Sequence, residues 1–224
     1  MNLQEVYNFL NFWINKYLGS YLTISELTEV VDRGQMALYS DYKPKYATSQ
    51  LIKDALSPFR QVYNFTTLLS GYVIVPSNSN YLDLLDIQIY FLISNRTVYC
   101  PVTMINEDER ADRLNSQIDP VTITSPIGEQ TAPRYFRLYP TGVYNGNVTY
   151  LRRPVKPVFA YTVISDRVIV YDSANSTQLE WRETEIVPLL LKALESVGVN
   201  LSSQELTQWA QIKTTENFQG MNKL

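Results

Sequence analysis

The chain of 224 residues contains no histidine and a single cysteine. The first absence removes Ser-His-Asp and Cys-His nucleophilic catalysis from this chain. It also removes His-Glu-x-x-His metalloprotease helices and every zinc site that needs an imidazole. One thiol, Cys100, closes no intramolecular disulfide and builds no cysteine cluster for zinc or iron–sulfur. It lies in the apolar run Thr97-Val98-Tyr99-Cys100-Pro101-Val102, which reads as a buried structural position in a reducing compartment. Neither a P-loop nor a Gly-x-Gly-x-x-Gly fingerprint occurs, so the common backbone cradles for phosphate are missing. Charge is sparse: 18% of residues are charged, against about a quarter in ordinary domains. The formal net charge is −3 and no basic run exists, so the footprint of a high-affinity nucleic-acid binder is absent. No stretch of about 18 apolar residues occurs, and residues 1–10 lack the basic start of a secretory leader. A soluble protein without a membrane segment is expected.

What the chain has in quantity is tyrosine, 17 residues. A tyrosine-rich, charge-poor surface suits protein interfaces, where Tyr is enriched and Lys and Glu are depleted. Compositional drift toward A·T-rich codons accounts for the same numbers.

Helical spacing of apolar residues runs from Leu3 to Leu18, with Gly19 as a stop. Thr23 and Glu26 form a capping box that opens a second helix from Ile24 to Tyr39. A third begins near Ser49, and Pro58 ends or kinks it before further turns over Phe59–Phe65. From Gly71 the texture changes to strands: Tyr72–Pro76, Leu82–Ile93, Thr97–Met104, Val121–Ser125, Arg134–Tyr139, Val148–Arg153 and Arg167–Tyr171. Pro140–Asn147 reads as a hairpin turn between two of them, and Pro126–Pro133 as a loop. Asn106–Leu114 is a polar helix with acids in its first turn. A C-terminal helix carries Pro188 within its first turns, and Ser202-x-x-Glu205 opens a last one. Helices, then strands, then helices make an α+β fold: a helical region over 1–70, a β-rich core over 71–177, C-terminal helices over 178–217 and a tail over 218–224, integrated as one domain.

Carboxylate chemistry survives the filter of missing residues. Glu107, Asp108, Glu109 and Asp112 cluster tightly; a magnesium site is one reading, a solvated helix start the simpler one. Asp83 and Asp86 read as edge or register control beside an apolar run. Arg110 and Arg113 share a helix face and are expected to pair with acids three or four residues away. Arg152 and Arg153 end a strand, on opposite faces by alternation. Tyr135, Phe136, Tyr139, Tyr144 and Tyr150 gather around the expected hairpin, as cross-strand packing, an intersubunit contact or a base-stacking platform.

Two segments carry a family resemblance. One is Gln178-Leu179-Glu180-Trp181-Arg182-Glu183-Thr184-Glu185-Ile186-Val187, followed by Ala193-Leu194-Glu195-Ser196-Val197-Gly198-Val199-Asn200-Leu201. The other is Gly146-Asn147-Val148-Thr149-Tyr150-Leu151-Arg152-Arg153-Pro154. Both resemble small structural proteins of crAss-like and related Bacteroidetes-infecting tailed phages. In those, a Leu-Glu-Trp/Phe-Pro-Glu segment leads into a last pair of helices; Arg182 stands where that proline is usual, and Pro188 comes later. The resemblance covers the last third of the chain. It implies a virion component assembled in the bacterial host: a ring in the phage neck, the head-to-tail connector beneath the portal. Such rings commonly match the twelve-fold portal, adjoin neighbouring neck or tail proteins, and let DNA pass without gripping it. No catalytic residue, cofactor or metal is expected. The expected contact residues are Tyr139, Tyr144, Arg152, Arg153, Trp181 and Arg182. Another virion part, a capsid accessory or tail protein, is the alternative, and a carboxylate-dependent hydrolase a more distant one.

Overall fold

The computed structural model describes residues 1–67, 69–93, 96–165, 168–199 and 201. It bears out an α+β fold and divides into two compact units. Met1–Pro58 and the chain from Pro154 form one; Phe59–Arg153 forms the other. In chain order the elements are helices α1 (Leu3–Leu18), α2 (Ile24–Tyr42) and α3 (Gln50–Ala55); strands β1 (Arg60–Thr66), β2 (Tyr72–Ile74), β3 (Tyr81–Ile93), β4 (Arg96–Pro101) and β5 (Thr103–Ile105); the short helix α4 (Arg110–Leu114); strands β6 (Ile127–Ala132), β7 (Tyr135–Tyr139), β8 (Asn145–Arg152), β9 (Tyr161–Ser165) and β10 (Val168–Tyr171); and helix α5 (Glu183–Glu195). Among the described residues no helix is long and apolar enough to cross a membrane. The expected helix from Ser202 and the tail lie outside the described residues.

The first unit is helical, and its helices begin where local chemistry satisfies their free N–H groups. Thr23 accepts from the Glu26 N–H while the Glu26 carboxylate accepts from the Thr23 N–H at 2.7 Å. Asn2 and Glu5 make the same reciprocal pair at the start of α1, at 2.9 and 3.0 Å. Gly19 ends α1 in the left-handed conformation, φ 64°. Leu3, Val6, Leu10, Trp13 and Ile14 turn inward, whereas Phe12 (56% exposed) and Tyr17 (43%), both counted among the apolar spacing of this helix, face solvent. α2 runs three residues past its expected end. Gly34 explains how it meets α5: a Cβ there would lie 2.8 Å from the Cβ of Ala193, so only glycine permits the approach. Pro188 lies inside α5, beyond the first turn, where the helix forgoes one backbone bond. Beside these helices β9 and β10 form a two-stranded hairpin. Phe159, just before it, stacks on Tyr7 at 4.6 Å and meets the Tyr171 ring at a tilt, 4.7 Å between centroids.

The second unit is a sandwich of two four-stranded sheets. One has the order β1-β8-β3-β4 and is wholly antiparallel. The other has the order β2-β7-β6-β5, with β5 and β6 parallel. Alternation points Phe65, Ile87, Ile89, Cys100, Val148 and Tyr150 of the first sheet toward Val73, Phe136 and Leu138 of the second. Cys100 is a buried thiol, as its apolar run implied. Gly146 leaves room for the Phe65 ring, whose Cζ would sit 2.4 Å from a Cβ at that position.

Several expectations for this region need correction. Residues Arg60–Thr66 are not further helical turns but an edge strand, because their backbone pairs with β8. The run Thr97–Met104 is two strands in two sheets. The chain crosses at Val102, whose N–H bonds to Ile87 O at 2.8 Å and whose side chain enters the core. Pro126–Pro133 is not a loop; it holds β6, with Ile127 and Glu129 buried. Val121–Ser125 is a tight turn closed by a Thr122–Ser125 bridge, not a strand. The hairpin across Pro140–Asn147 does not exist. β7 pairs with β2 and β6, while β8 pairs with β1 and β3. The connection is pinned to Thr67, whose Oγ1 donates to Gly142 O at 2.7 Å and accepts from the Tyr144 N–H at 2.7 Å. Asp83 and Asp86 sit at the two register shifts of β3, in the half where β8 alone pairs with it and β4 has not yet joined, so they mark register and edge at once.

Candidate interaction surfaces

The outer face of the second sheet is built around one buried carboxylate. β6 and β7 pair with Glu129 opposite Arg137. Phe136 and Leu138 fill the core, so Tyr135, Arg137 and Tyr139 share the outward face. Glu129 is buried, yet its nearest cation is not Arg137. Nη1 of Arg110, from α4, donates to both Glu129 oxygens at 3.0 and 3.2 Å, and the Tyr139 hydroxyl donates to Oε1 at 2.9 Å. These bonds hold the Glu129 carboxylate in place and pin the 106–126 connection across β6. The carboxylate raises the Arg110 guanidinium above its ordinary pKa. Burial first, and then the bond to Glu129, push the Tyr139 phenol up. Arg110 and Arg113 therefore do not pair at helical spacing: Arg113 bonds Asp119 at 2.5 Å, six residues on. Asp119 lies in the connection and Glu129 in the strand after it, β6, and helical spacing alone reaches neither.

Beside this network the Arg137 guanidinium lies between the rings of Tyr72 and Tyr139, 5.4 and 5.1 Å from their centroids. Tyr72 (41% exposed), Ile74 (50%) and Tyr135 (39%) surround it. Arg137 was not among the expected contact residues. The signal was present in the alternation Arg-Tyr-Phe-Arg-Leu-Tyr, which sets Tyr135, Arg137 and Tyr139 on one face.

The first sheet has a different outer face. Its register aligns Asn64, Asn147 and Gln88 across three strands. The next row holds Thr66, Asn145, Tyr90 and Tyr99; Thr66 Oγ1 donates to Asn145 Oδ1 at 2.8 Å and the two tyrosine rings lie 5.6 Å apart. Amides, hydroxyls and phenols dominate this surface, and Asp86 is held by Gln88 Nε2 at 2.7 Å.

The expected contact residues disperse. Trp181 is buried (5% exposed), edge-on to Tyr42 at 6.2 Å, so it anchors the helical core and offers no ring to a neighbour. Tyr139 (8% exposed) is likewise occupied by Glu129. Tyr144 is half-buried against the sandwich core. Arg182 is exposed and precedes α5, donating to Ser57 Oγ at 3.2 Å. Arg152 lies over the Phe59 ring at 5.8 Å and donates to Arg153 O, while Arg153 is exposed beyond the end of β8, with its N–H on Asn80 O at 2.8 Å. The aromatic cluster dissolves too. Phe136 and Tyr150 are core, Tyr135 is surface, and no stacking platform joins them.

Among the described residues no group of three or more carboxylates and thiols converges enough to hold a metal ion. An open cleft of about 520 Å³ is lined by Leu84, Met104, Ile105, Asn106, Gln130 and Pro133, with Glu107 its one carboxylate. The chain matches no protein-family model and no curated protein.

Proposed function

We propose that this chain is a non-enzymatic virion protein that forms a ring in the neck of a tailed phage, joins portal to tail and lines the DNA exit channel. The observation that carries the reading is the exposure of large side chains on strands of a rigid sandwich: Tyr72, Ile74, Leu92, Tyr99 and Tyr135. Tyrosine on a rigid element contributes contact area at small entropic cost, and the sheets that carry it end in unpaired edges. The amide-rich face of the first sheet supports the second half of the proposal. A wall of Asn, Gln, Thr and Tyr offers phosphate no cluster of cations to bind, and the whole chain is net negative.

The test is localisation. Antibody against the chain, applied to purified virions of a phage that encodes it, labels the head–tail junction if the proposal holds. Label along the capsid or the tail tube moves the assignment to another virion part. Virions free of the protein overturn both readings.

A further inference from the structure

The second sheet is electrically one-sided. On its β2–β7 side stands Arg137, between the rings of Tyr72 and Tyr139. It makes no ion pair among the described residues, and its Nε is buried without a hydrogen-bond partner. The carboxylate opposite, Glu129, is committed to Arg110 and Tyr139. Around the guanidinium stand Tyr72, Ile74 and Tyr135, all more than a third exposed. Arg and Tyr are the residues that dominate binding energy where interfaces are best packed.

The opposite side of the same sheet is acidic. β5 is its other edge, and directly after β5 come Glu107, Asp108 and Glu109, then Asp112 in α4. All four are exposed. Glu109 is used as a cap on the Asn106 N–H; Glu107, Asp108 and Asp112 have no ion-pair partner among the described residues. None of these acids forms an ion pair with Arg137 of its own chain among the described residues. An aromatic surface around Arg137 on the β2–β7 side and a run of exposed acids that follows the β5 edge thus belong to one sheet.

We propose that a second copy of this chain seats its acidic corner, Glu107, Asp108 and Asp112, on the Tyr72–Ile74–Tyr135–Arg137 surface of the first. Such a contact is heterologous: each copy gives one edge and receives the other. Repetition closes a ring where the rotation between copies divides a full turn, whereas a face-to-face contact stops at a dimer. The inference rests on the ring reading and names the surfaces that build it.

The experiment uses the full chain and two charge-reversed variants, Arg137→Glu and the double Asp108→Arg, Asp112→Arg, with Arg137→Lys as the charge-keeping control. Assembly is read by native mass spectrometry across a concentration series, alone and with portal. Each variant by itself is expected to associate roughly 30-fold more weakly than wild type, the loss of one central anchor. Mixed in equal amounts they are expected to reassemble as alternating copies, because the reversed acids then meet the reversed Arg137. Wild-type association is expected to fall with added salt. The acidic-side variant changes exposed residues only, which separates docking from folding, and Arg137→Lys keeps the charge where Arg137→Glu disturbs the buried Nε. Rings from both variants at wild-type strength overturn this contact and leave the ring reading standing. No ring from wild type, alone or on portal, overturns both.

Discussion

The helical unit and the sandwich are held by different kinds of contact, and they should fail differently. In the first, α1 and α2 each begin on a reciprocal side chain–backbone pair within three residues, Asn2 with Glu5 and Thr23 with Glu26. Damage to a cap frays one helix end. In the sandwich, β1 pairs with β8, and β5 with β6 across a connection of more than twenty residues. Its polar centre, Glu129, draws partners from α4 and β7 at once. Damage there spreads, because each strand is a partner to others.

The largest effect should come from the sandwich core. Phe136→Ala removes a ring with no exposed surface and is expected to cost about 3–5 kcal/mol, measured by urea unfolding, with faster hydrogen exchange in both sheets. Exchange confined to β7 would contradict the claim that the sandwich yields as a unit. Glu129→Gln comes next. It leaves Arg110 without its counter-charge and weakens the Tyr139 bond, at roughly 2 kcal/mol. Hydrogen exchange should rise over 106–126 more than in the strands, since that network pins the connection to β6. Thr23→Ala should cost about 1 kcal/mol, with exchange rising only in the first turn of α2. The smallest expected effect is on pH dependence. Burial first, and then the Asp83 charge, push the Tyr81 phenol up to about 12. The raised value means that the folded state favours the neutral phenol. That contribution is complete below the ordinary phenol pKa of 10.0 and is lost as pH rises through about 12. Ultraviolet titration of wild type against Tyr81→Phe should show one late-ionising phenol missing in the variant.

The same contrast decides what could be read from the chain. Helix starts are written within four residues, so the box at Thr23 was plain, and the one at Asn2 follows the same spacing with Asn in place of Thr. Strand character is local as well: the aromatic and β-branched run of β3 and the alternation of β7 mark them as strands. Pairing is not local. Nothing within Arg134–Arg153 says that β7 and β8 part company, because what separates them is Thr67, far back in the chain, holding the 142–144 turn. β1 looked helical because Phe59, Val62 and Tyr63 fall at helical spacing while its partner lies more than eighty residues on. β6 looked like a loop because it holds Gly128 toward the core and Glu129 on the other face, and a buried glutamate makes sense only once Arg110 is placed over it. The candidate surface was half legible. The run of acids after Asn106 was visible, while Arg137 stood out only after Glu129 was seen to be taken by another arginine.

The most direct test of the central claim is the mass of the purified full-length chain, alone and mixed with portal, by native mass spectrometry. The account predicts a ring-sized species, or co-assembly with portal in a fixed ratio. A strict monomer that ignores portal would contradict it.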